Sequence, residues 1–194
     1  MTLEPDRCDW CLRSASERLY HDLEWGVPCR DDLGQFEFLV LESAQAGLSW
    51  TTILNKREGY RKAFANFDPE AVVRFTPSDV DRLLTDPGIV RDRKKIESAI
   101  SNARLFLELA AKHGSFSHYI WGFVDGAPIV NRWDRSEQIP ATTPVSDAMA
   151  REFKKLGFKF LGSTVLYAHM QATGMINDHL VSCFRHAECK TARP

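Results

Sequence analysis

Cysteine and histidine residues stand near both ends of the chain, and a metal ion bound by both groups would force the two ends together. His179 and Cys183 are four residues apart, a spacing that places both side chains on one face of a helix. Zinc binds imidazole and thiolate groups in that arrangement. A four-ligand site would take two further ligands from the N-terminal segment, where Cys8, Cys11 and His21 are the candidates.

Spacing alone slightly favours Cys8 and Cys11 as the further ligands, but it leaves the choice open. The alternative is that all five side chains are ordinary core or surface residues. The chain holds five cysteines, and an odd number without an export signal argues against a disulfide framework. The N-terminal segment is polar, and no apolar run approaches the roughly 20 residues of a membrane helix. We therefore expect a cytoplasmic protein with no membrane segment.

The balanced charge of the chain limits how it can bind nucleic acid. Its 194 residues are 44% apolar, enough for one substantial core, and carry a net charge of -1. Because no global positive field attracts nucleic acid, DNA binding would require a local basic face. We expect a single domain over residues 1–186, with room for two helical lobes and a pocket between them, and a flexible tail over residues 187–194.

Capping residues, apolar periodicity and breakers predict helices along most of the chain, so the fold class is all-α. Asp31 or Asp32 is the candidate N-cap for LGQFEFLVLESAQA, which stops at Gly47, and a further helix starts at Ser49. A DPG turn at 86–88 leads into what we expect to be the longest helix, reaching about residue 112.

Proline positions predict two short helices and one irregular stretch. Asp68-Pro69 and Thr76-Pro77 each combine a cap with proline at the first helical position, and TPSD has the spacing of a capping box. The glycine and proline at 126–128 and the following IVNRWDRSEQIPATTP predict an irregular connection that includes a short extended segment.

The C-terminal third predicts two helices joined by a tight hairpin. Ser146 or Asp147 caps a helix that ends at Gly157, GFKFLG forms the hairpin, and Ser163 or Thr164 opens the next helix. Hairpin amides and the N-terminus of that second helix can bind a phosphate. Basic clusters at 154–159 and 91–95 supply local charge, although charge runs are usually solvated faces. Further along, Asn177 is the candidate cap of a helix that carries the second ligand pair.

Glu42 is an unusual residue for its position. It follows an apolar run in the last turn of its predicted helix, where the negative end of the helix dipole disfavours a carboxylate. A desolvated carboxylate there needs a cationic or hydrogen-bond-donating partner, and the alternative is that Glu42 faces solvent. Aromatic side chains nearby in the sequence can stack on bases or cations, or belong to the core: Trp10, Tyr20, Trp25 and Trp50.

Several ordered motifs together resemble the 3-methyladenine DNA glycosylase I family: RCDW, YHDLEWGVP, LESAQAGLSW, FDPEAV, GIVRDRKKIESAISNA, GFKFLGSTVLYAHMQATG and NDHLVSC. The resemblance extends from about Arg7 to Cys183 and implies an all-α helix-hairpin-helix DNA glycosylase fold. It also implies a structural zinc ion that joins the N- and C-terminal segments. The implied ligands, with His21 in place of Cys11, are Cys8, His21, His179 and Cys183.

The resemblance further implies a pocket for an extruded base. In this pocket Glu42 is the acceptor for the methylated adenine, and Trp50 stacks on the base. Tyr20, Trp10 and Trp25 form further walls. Alkylated adenine carries a positive charge that a carboxylate and aromatic faces attract, whereas adenine itself is neutral.

A second set of residues is implied to bind double-stranded DNA, with Leu48 as an apolar wedge in the gap left by the base. These residues are Gly47, Leu48, Lys159, Gly162, Ser163 and Thr164. Glycosylases that also cut the strand carry a lysine after the hairpin glycine, where this chain has Ser163. Without a Schiff-base nucleophile there, we expect a monofunctional, monomeric enzyme of base-excision repair that leaves an abasic site.

Two departures from the family pattern bear on the mechanism. Asn177 stands where other superfamily members carry an aspartate, so neighbouring Asp178 is the candidate to orient the attacking water. Glu17 stands where some members carry an aromatic residue, so one wall of the implied pocket departs from the family pattern. The alternative functions are a zinc-stabilised DNA-binding module without catalysis, and a zinc hydrolase, which needs an open coordination position.

Overall fold

The computed structural model describes residues 4–191, and this part of the chain is mostly helical. Its helices are α1 (Ala15–Leu23), α2 (Asp32–Gln45), α3 (Trp50–Ala63), α4 (Pro69–Val72), α5 (Pro77–Thr85), α6 (Arg93–His113), α7 (Phe116–Trp121), α8 (Pro144–Leu156), α9 (Ser163–Ala172) and α10 (Phe184–Thr191). Short 3-10 turns lie at Asp9–Arg13, Ala65–Phe67, Gly122–Val124 and Ser136–Gln138. The prediction of an all-α class is confirmed.

Most predicted helix starts are confirmed by side-chain caps. Asp31, Ser49 and Asp68 each accept a hydrogen bond from the first turn of α2, α3 and α4 respectively. Thr76 and Asp79 form the full capping box at the start of α5. These caps were predictable because donor and acceptor lie within three residues of each other.

The predicted cap of α8 is wrong. Thr143, not Ser146 or Asp147, is the N-cap, and Ser146 is the third residue of its capping box. Pro144 follows at the first helical position, where its missing N–H costs nothing. The helix therefore starts one turn earlier than expected, and it ends at Gly157 as predicted.

The main core surrounds α6, which is 21 residues long and contacts α2, α4, α5 and α7. Phe106 of α6 stacks on Phe116 of α7 with ring centroids 4.0 Å apart, and Phe36 of α2 packs edge-on against Phe106. A second apolar cluster joins the two ends of the chain, and its buried members are Cys8, Tyr20, Trp25, Phe38, Ala172, Leu180 and Cys183. This second cluster is where the site lies.

Two short strands tie the irregular connection to the C-terminal segment. β1 (Ile129–Val130) pairs in parallel with β2 (Ile176–Asn177), and a further bridge joins Trp133 to Leu180. The predicted short extended segment is thus confirmed. Asn177 lies in β2 and does not cap a helix, because its backbone is committed to this pairing.

The C-terminal segment differs from the predicted tail. α10 runs from Phe184 to Thr191, so the expected boundary after residue 186 falls inside a helix, and Cys189 on that helix is buried. Residues 192–194 of the predicted tail lie outside the described residues. Among residues 4–191, no helix is long and apolar enough to span a membrane.

Candidate active site and metal cluster

A cavity of about 590 Å³ opens between the N-terminal segment, helices α1, α2, α3 and α9, and the loop around Ser136. All five residues expected in the base pocket line it, together with Leu48: Trp10, Tyr20, Trp25, Glu42 and Trp50. They come from four separate segments, so tertiary packing brings them together. Glu17, Gln45 and Gln171 are further polar residues in the lining.

Glu42 lines this cavity and is buried rather than exposed to solvent. Its side chain is 4% exposed, and among residues 4–191 no group donates a hydrogen bond to it. Burial raises the pKa of Glu42 from 4.5 to about 8, because the charged form loses its hydration. The alternative of a solvent-facing glutamate is wrong. The site therefore holds a desolvated acid that lacks a protein partner.

Aromatic rings and unpaired polar atoms form the walls. Tyr20 lies 5.3 Å from Trp50 and Trp10 lies 5.0 Å from Trp25, both measured between ring centroids. The indole nitrogens of Trp10 and Trp50 and the hydroxyl of Tyr20 are buried without a hydrogen-bond partner. Burial, and next the charge of Glu42, raise the pKa of Tyr20, so its hydroxyl stays a donor. Buried donors of this kind call for an acceptor from outside the protein.

Glu17 also faces the cavity and is 3% exposed. Its Oε1 accepts a hydrogen bond of 2.6 Å from the Thr51 hydroxyl, whereas its Oε2 has no partner. The three-residue spacing between Glu17 and Tyr20 on α1 would have placed both on one face, a signal available in the sequence. Glu17 therefore adds a second carboxylate to the pocket.

Behind the aromatic wall, two cysteines and two histidines converge and can hold a metal ion. The ligand atoms of Cys8, His21, His179 and Cys183 all lie within 4.8 Å of one another, and all four side chains are buried. The Sγ of Cys183 lies 3.4 Å from Nε2 of His21 and 3.6 Å from Nδ1 of His179. Cys11 instead donates its thiol to the carbonyl of Cys8, so the spacing argument for Cys11 is wrong.

The hydrogen bonds around the cluster orient both imidazole rings for coordination. Nδ1 of His21 lies 2.8 Å from the carboxylate of Asp22, which also accepts hydrogen bonds from Nε and Nη2 of Arg7. Nε2 of His179 lies 3.0 Å from the carbonyl oxygen of Trp25. Each ring therefore donates its N–H to an acceptor and turns its lone pair towards the two sulfurs. Burial also lowers the pKa of His179, which favours the neutral, coordinating form.

The second ligand pair is not on a helix, contrary to the prediction from spacing. Residues 178–183 form an extended stretch and a turn that ends where α10 begins. The amide of His179 donates to the side chain of Asn177, and the amide of Cys183 donates to the carbonyl of Leu180. This turn brings the two ligands together at the i,i+4 spacing without helical geometry. The helix prediction failed because that spacing is common to both arrangements.

The cluster and the cavity share a wall. The Trp25 ring packs edge-on against His179 with centroids 4.5 Å apart, and it also packs against Trp10, which lines the cavity. Gly26 follows with φ of +79°, and a Cβ there would lie 2.8 Å from Nε2 of His179. The cluster thus fixes the position of Trp25 through both ring packing and the carbonyl bond.

Two exposed segments, the loop at Leu48 in the cavity lining and the hairpin before α9, carry the residues expected to bind DNA. Leu48 is 41% exposed, and Gly47 before it has φ of +80°, a conformation that favours glycine. The Lys95 ammonium donates to the carbonyls of Ala44 and Ala46, so it closes the C-terminal end of α2 next to this loop. Lys95 is therefore committed to the protein rather than free to pair with a phosphate.

The connection from α8 to α9 is the predicted hairpin. The side-chain amide of Asn102 both donates to the carbonyl and accepts from the amide of Lys159, each at 2.9 Å. α9 starts at Ser163, and Gly162 caps it without a side-chain bond. The Ser163 hydroxyl donates to Asp147 at 2.5 Å. Because this hydroxyl is already bonded, the donors that the hairpin can offer to a phosphate are its backbone amides.

Asp178, the candidate to orient a water, is already saturated with hydrogen bonds. Its carboxylate accepts from the side chains of Asn131, Trp133, Tyr167 and Gln171, and it is 1% exposed. It does not line the cavity, although Gln171 does. Its visible role is to hold the connection, α9 and the C-terminal segment together.

The helical fold, its helix-hairpin-helix element and the aromatic cavity with a buried acid are those of the helix-hairpin-helix DNA glycosylases. Residues 10–186 match the model of the methyladenine glycosylase family. The chain belongs to this family.

Individual relatives agree with that assignment. DNA-3-methyladenine glycosylase 1 of Escherichia coli K12 is 45% identical over 92% of this chain and 95% of its own length. DNA-3-methyladenine glycosylase of Haemophilus influenzae is 42% identical over 96% of this chain and 98% of its own. The 3-methyladenine DNA glycosylase I of Staphylococcus aureus, solved to explain 3-methyladenine recognition, superposes with a TM-score of 0.90 at 35% identity, covering 97% of this chain and 98% of that one.

Proposed function

We propose that this protein is a monofunctional DNA glycosylase of base-excision repair that hydrolyses the N-glycosidic bond of 3-methyladenine in alkylated double-stranded DNA. The observation that carries the proposal is Glu42, a buried acid without a protein partner inside an aromatic cavity of about 590 Å³. Membership of the methyladenine glycosylase family supports it. The products are the free base and an abasic site, and the enzyme acts as a monomer.

The pocket selects its substrate by charge. A target base must leave the duplex stack to reach this cavity. Methylation makes the adenine ring cationic, and that cation supplies the partner that Glu42 lacks, which favours the ionised carboxylate. Trp50 stacks on the ring, while Tyr20, Trp10 and Trp25 form the remaining walls. A neutral adenine offers no such compensation and leaves Glu42 desolvated.

The cationic base also makes the reaction easy. When the glycosidic bond breaks, its electron pair moves to the ring nitrogen, and the base leaves as a neutral molecule without protonation by an acid. A water molecule attacks the sugar carbon and loses a proton to solvent. Glu42 therefore acts by recognition and electrostatics. Because Ser163 follows Gly162 where a lyase would carry lysine, no covalent amine intermediate forms and the strand is not cut.

Zinc is the metal that best suits the buried cluster. With zinc–sulfur and zinc–nitrogen bonds of ordinary length, tetrahedral geometry separates sulfur from nitrogen by about 3.6 Å. The corresponding distances in the cluster are 3.4–3.7 Å. Four protein ligands, Cys8, His21, His179 and Cys183, leave no position for water, so the ion has a structural role. It ties the two ends of the chain behind the wall of the pocket.

DNA binding uses the two exposed segments. Leu48, presented by Gly47, enters the gap left by the extruded base, as apolar side chains do at kinked steps. The hairpin and the N-terminus of α9, at Gly162, Ser163 and Thr164, bind a backbone phosphate through their amides. Lys159 on the exposed hairpin adds positive charge.

Release of the base from methylated DNA tests the function directly. Chromatography of the soluble products should show 3-methyladenine, with the DNA strands intact until alkali cleaves the abasic sites. Glu42→Gln should slow release at least tenfold and leave zinc content and DNA affinity within twofold of the wild type. Glu37→Gln, on the same helix but outside the cavity, is the matched control. Unchanged release by Glu42→Gln would refute the assigned role.

A further inference from the structure

Glu17 gives this pocket a second acceptor that no protein group uses. Its Oε1 is occupied by the Thr51 hydroxyl at 2.6 Å, but its Oε2 is buried without a partner. A buried acceptor left unpaired is costly, so such atoms in a cavity mark a position for a ligand donor. The carboxylate is held in place by one oxygen, and the other is buried without a partner in the wall of the cavity that Glu17 lines.

The lack of a partner does not result from a lack of donors nearby. Trp10, Tyr20 and Trp50 line the same cavity, and their indole nitrogens and hydroxyl are also buried without a partner. The fold therefore holds this acceptor and these donors apart, so that none of them satisfies another. Such an arrangement is preorganised for a guest that carries both hydrogen-bond donors and acceptors.

Glu17 and Glu42 reach the cavity from different helices. Glu17 projects from α1 beside Tyr20, and its partner Thr51 directly follows the stacking residue Trp50 on α3. Glu42 comes from α2. A base stacked on Trp50 can therefore meet two carboxylates that approach from separate elements.

We propose that Glu17 is a specificity-determining residue that accepts a hydrogen bond from an N–H of the extruded base, in addition to the one accepted by Glu42. The pocket then prefers a positively charged aminopurine that presents N–H groups to both carboxylates. This inference rests on the proposed function. The competing role for Glu17 is structural, since a carboxylate bonded to Thr51 also stabilises the N-terminus of α3.

Glu17→Gln separates the two roles, because the amide oxygen still accepts from Thr51 while an NH2 group replaces the unpaired oxygen. Binding of 3,9-dimethyladeninium, which keeps the positive charge of the nucleotide base, and of neutral 9-methyladenine is followed by quenching of tryptophan fluorescence. We expect Glu17→Gln to weaken binding of the cation about tenfold, the value of one charge-assisted hydrogen bond. The preference for the cation over the neutral base should fall by a similar factor, with Tm nearly unchanged.

Two controls and a second variant complete the experiment. Thr51→Val removes the anchor and keeps the acceptor, so it should lower Tm and change the preference less than twofold. Glu24→Gln, at the end of the same helix and outside the cavity, weakens the ion pair with Arg57, so it should lower Tm slightly and leave the preference unchanged. If Glu17→Gln does not fold, Glu17→Met retains the side-chain volume without either oxygen and should lose the same preference.

The outcomes distinguish this inference from the proposed function. An unchanged preference in Glu17→Gln, or a loss of Tm without a loss of preference, overturns the role of Glu17 while excision by the wild type still supports the function. If the wild type releases no base from methylated DNA, the function fails, and the binding measurements still decide whether Glu17 reads the ligand.

Discussion

Replacing Glu42 by glutamine should make the protein more stable above neutral pH while it removes recognition of the base. Burial raises the pKa of Glu42 from 4.5 to about 8. An acid whose pKa is higher in the folded state favours folding below its unfolded pKa, and this contribution is lost as the pH rises through the folded value. In this protein the loss extends from about pH 4.5 to pH 8.

The magnitude follows from the same two pKa values. Each pH unit between them lowers the free energy of unfolding by about 1.4 kcal/mol. The loss is therefore roughly 3 kcal/mol by pH 7 and up to roughly 5 kcal/mol above pH 8. Glutamine is neutral and close in shape, so Glu42→Gln does not incur this loss. For a protein of this size, 3 kcal/mol corresponds to about 6–12 °C in Tm.

Thermal unfolding of both proteins at a series of pH values measures the effect. The two Tm values should be similar near pH 4.5 and diverge up to pH 8, with Glu42→Gln the more stable protein. Loss of metal in acid affects both proteins alike, so the difference between the curves isolates Glu42. Parallel curves would show that the carboxylate is hydrated in the folded protein, and the argument from desolvation would then be wrong.

Three further substitutions test how the pocket is supported. His21→Ala should reduce bound zinc, measured by mass spectrometry of the native protein, and lower Tm by several degrees; full stoichiometry would exclude His21 as a ligand. Lys95→Met removes the ammonium that caps the carbonyls of Ala44 and Ala46. It should lower the free energy of unfolding, measured with denaturant, by about 1–3 kcal/mol, and it should slow excision by loosening the Leu48 loop. Exposed Lys94→Met is its control, and equal stabilities would refute that capping role. Asp178→Asn should lower the free energy of unfolding by about 2–4 kcal/mol, because a neutral amide cannot satisfy four donors. A reduced excision rate without any loss of stability would instead restore Asp178 as the residue that orients water.

Local signals account for the helices that were predicted correctly. The caps at Asp31, Ser49 and Thr76 involve hydrogen bonds between residues three positions apart, so short segments of sequence specify them. The α8 cap was misplaced because Thr143 and Ser146 both suit that role, and Pro144 decides between them. The same local rules failed at His179, where pairing of β2 and a turn replace the predicted helix.

The site combines what family motifs implied with what packing alone determined. The motifs indicated the cluster and the five pocket residues, which the structure brings to one cavity. Spacing could not choose between Cys11 and His21, because the choice depends on which atom reaches ligands more than 150 residues away along the chain. The saturation of Asp178 was equally hidden, since its partners lie on two other segments, the connection after β1 and α9.

The sequence by itself therefore determined the helical class, most helix boundaries and the chemical types available for the site, because caps, periodicity and ligand types act over a few residues. Only the tertiary structure decided which side chains share a wall and which polar atoms remain unpaired. The burial of Glu42 and the free oxygen of Glu17 are properties of that packing. Desolvation and hydrogen-bond satisfaction depend on every neighbour in space, and most of those neighbours are distant along the chain.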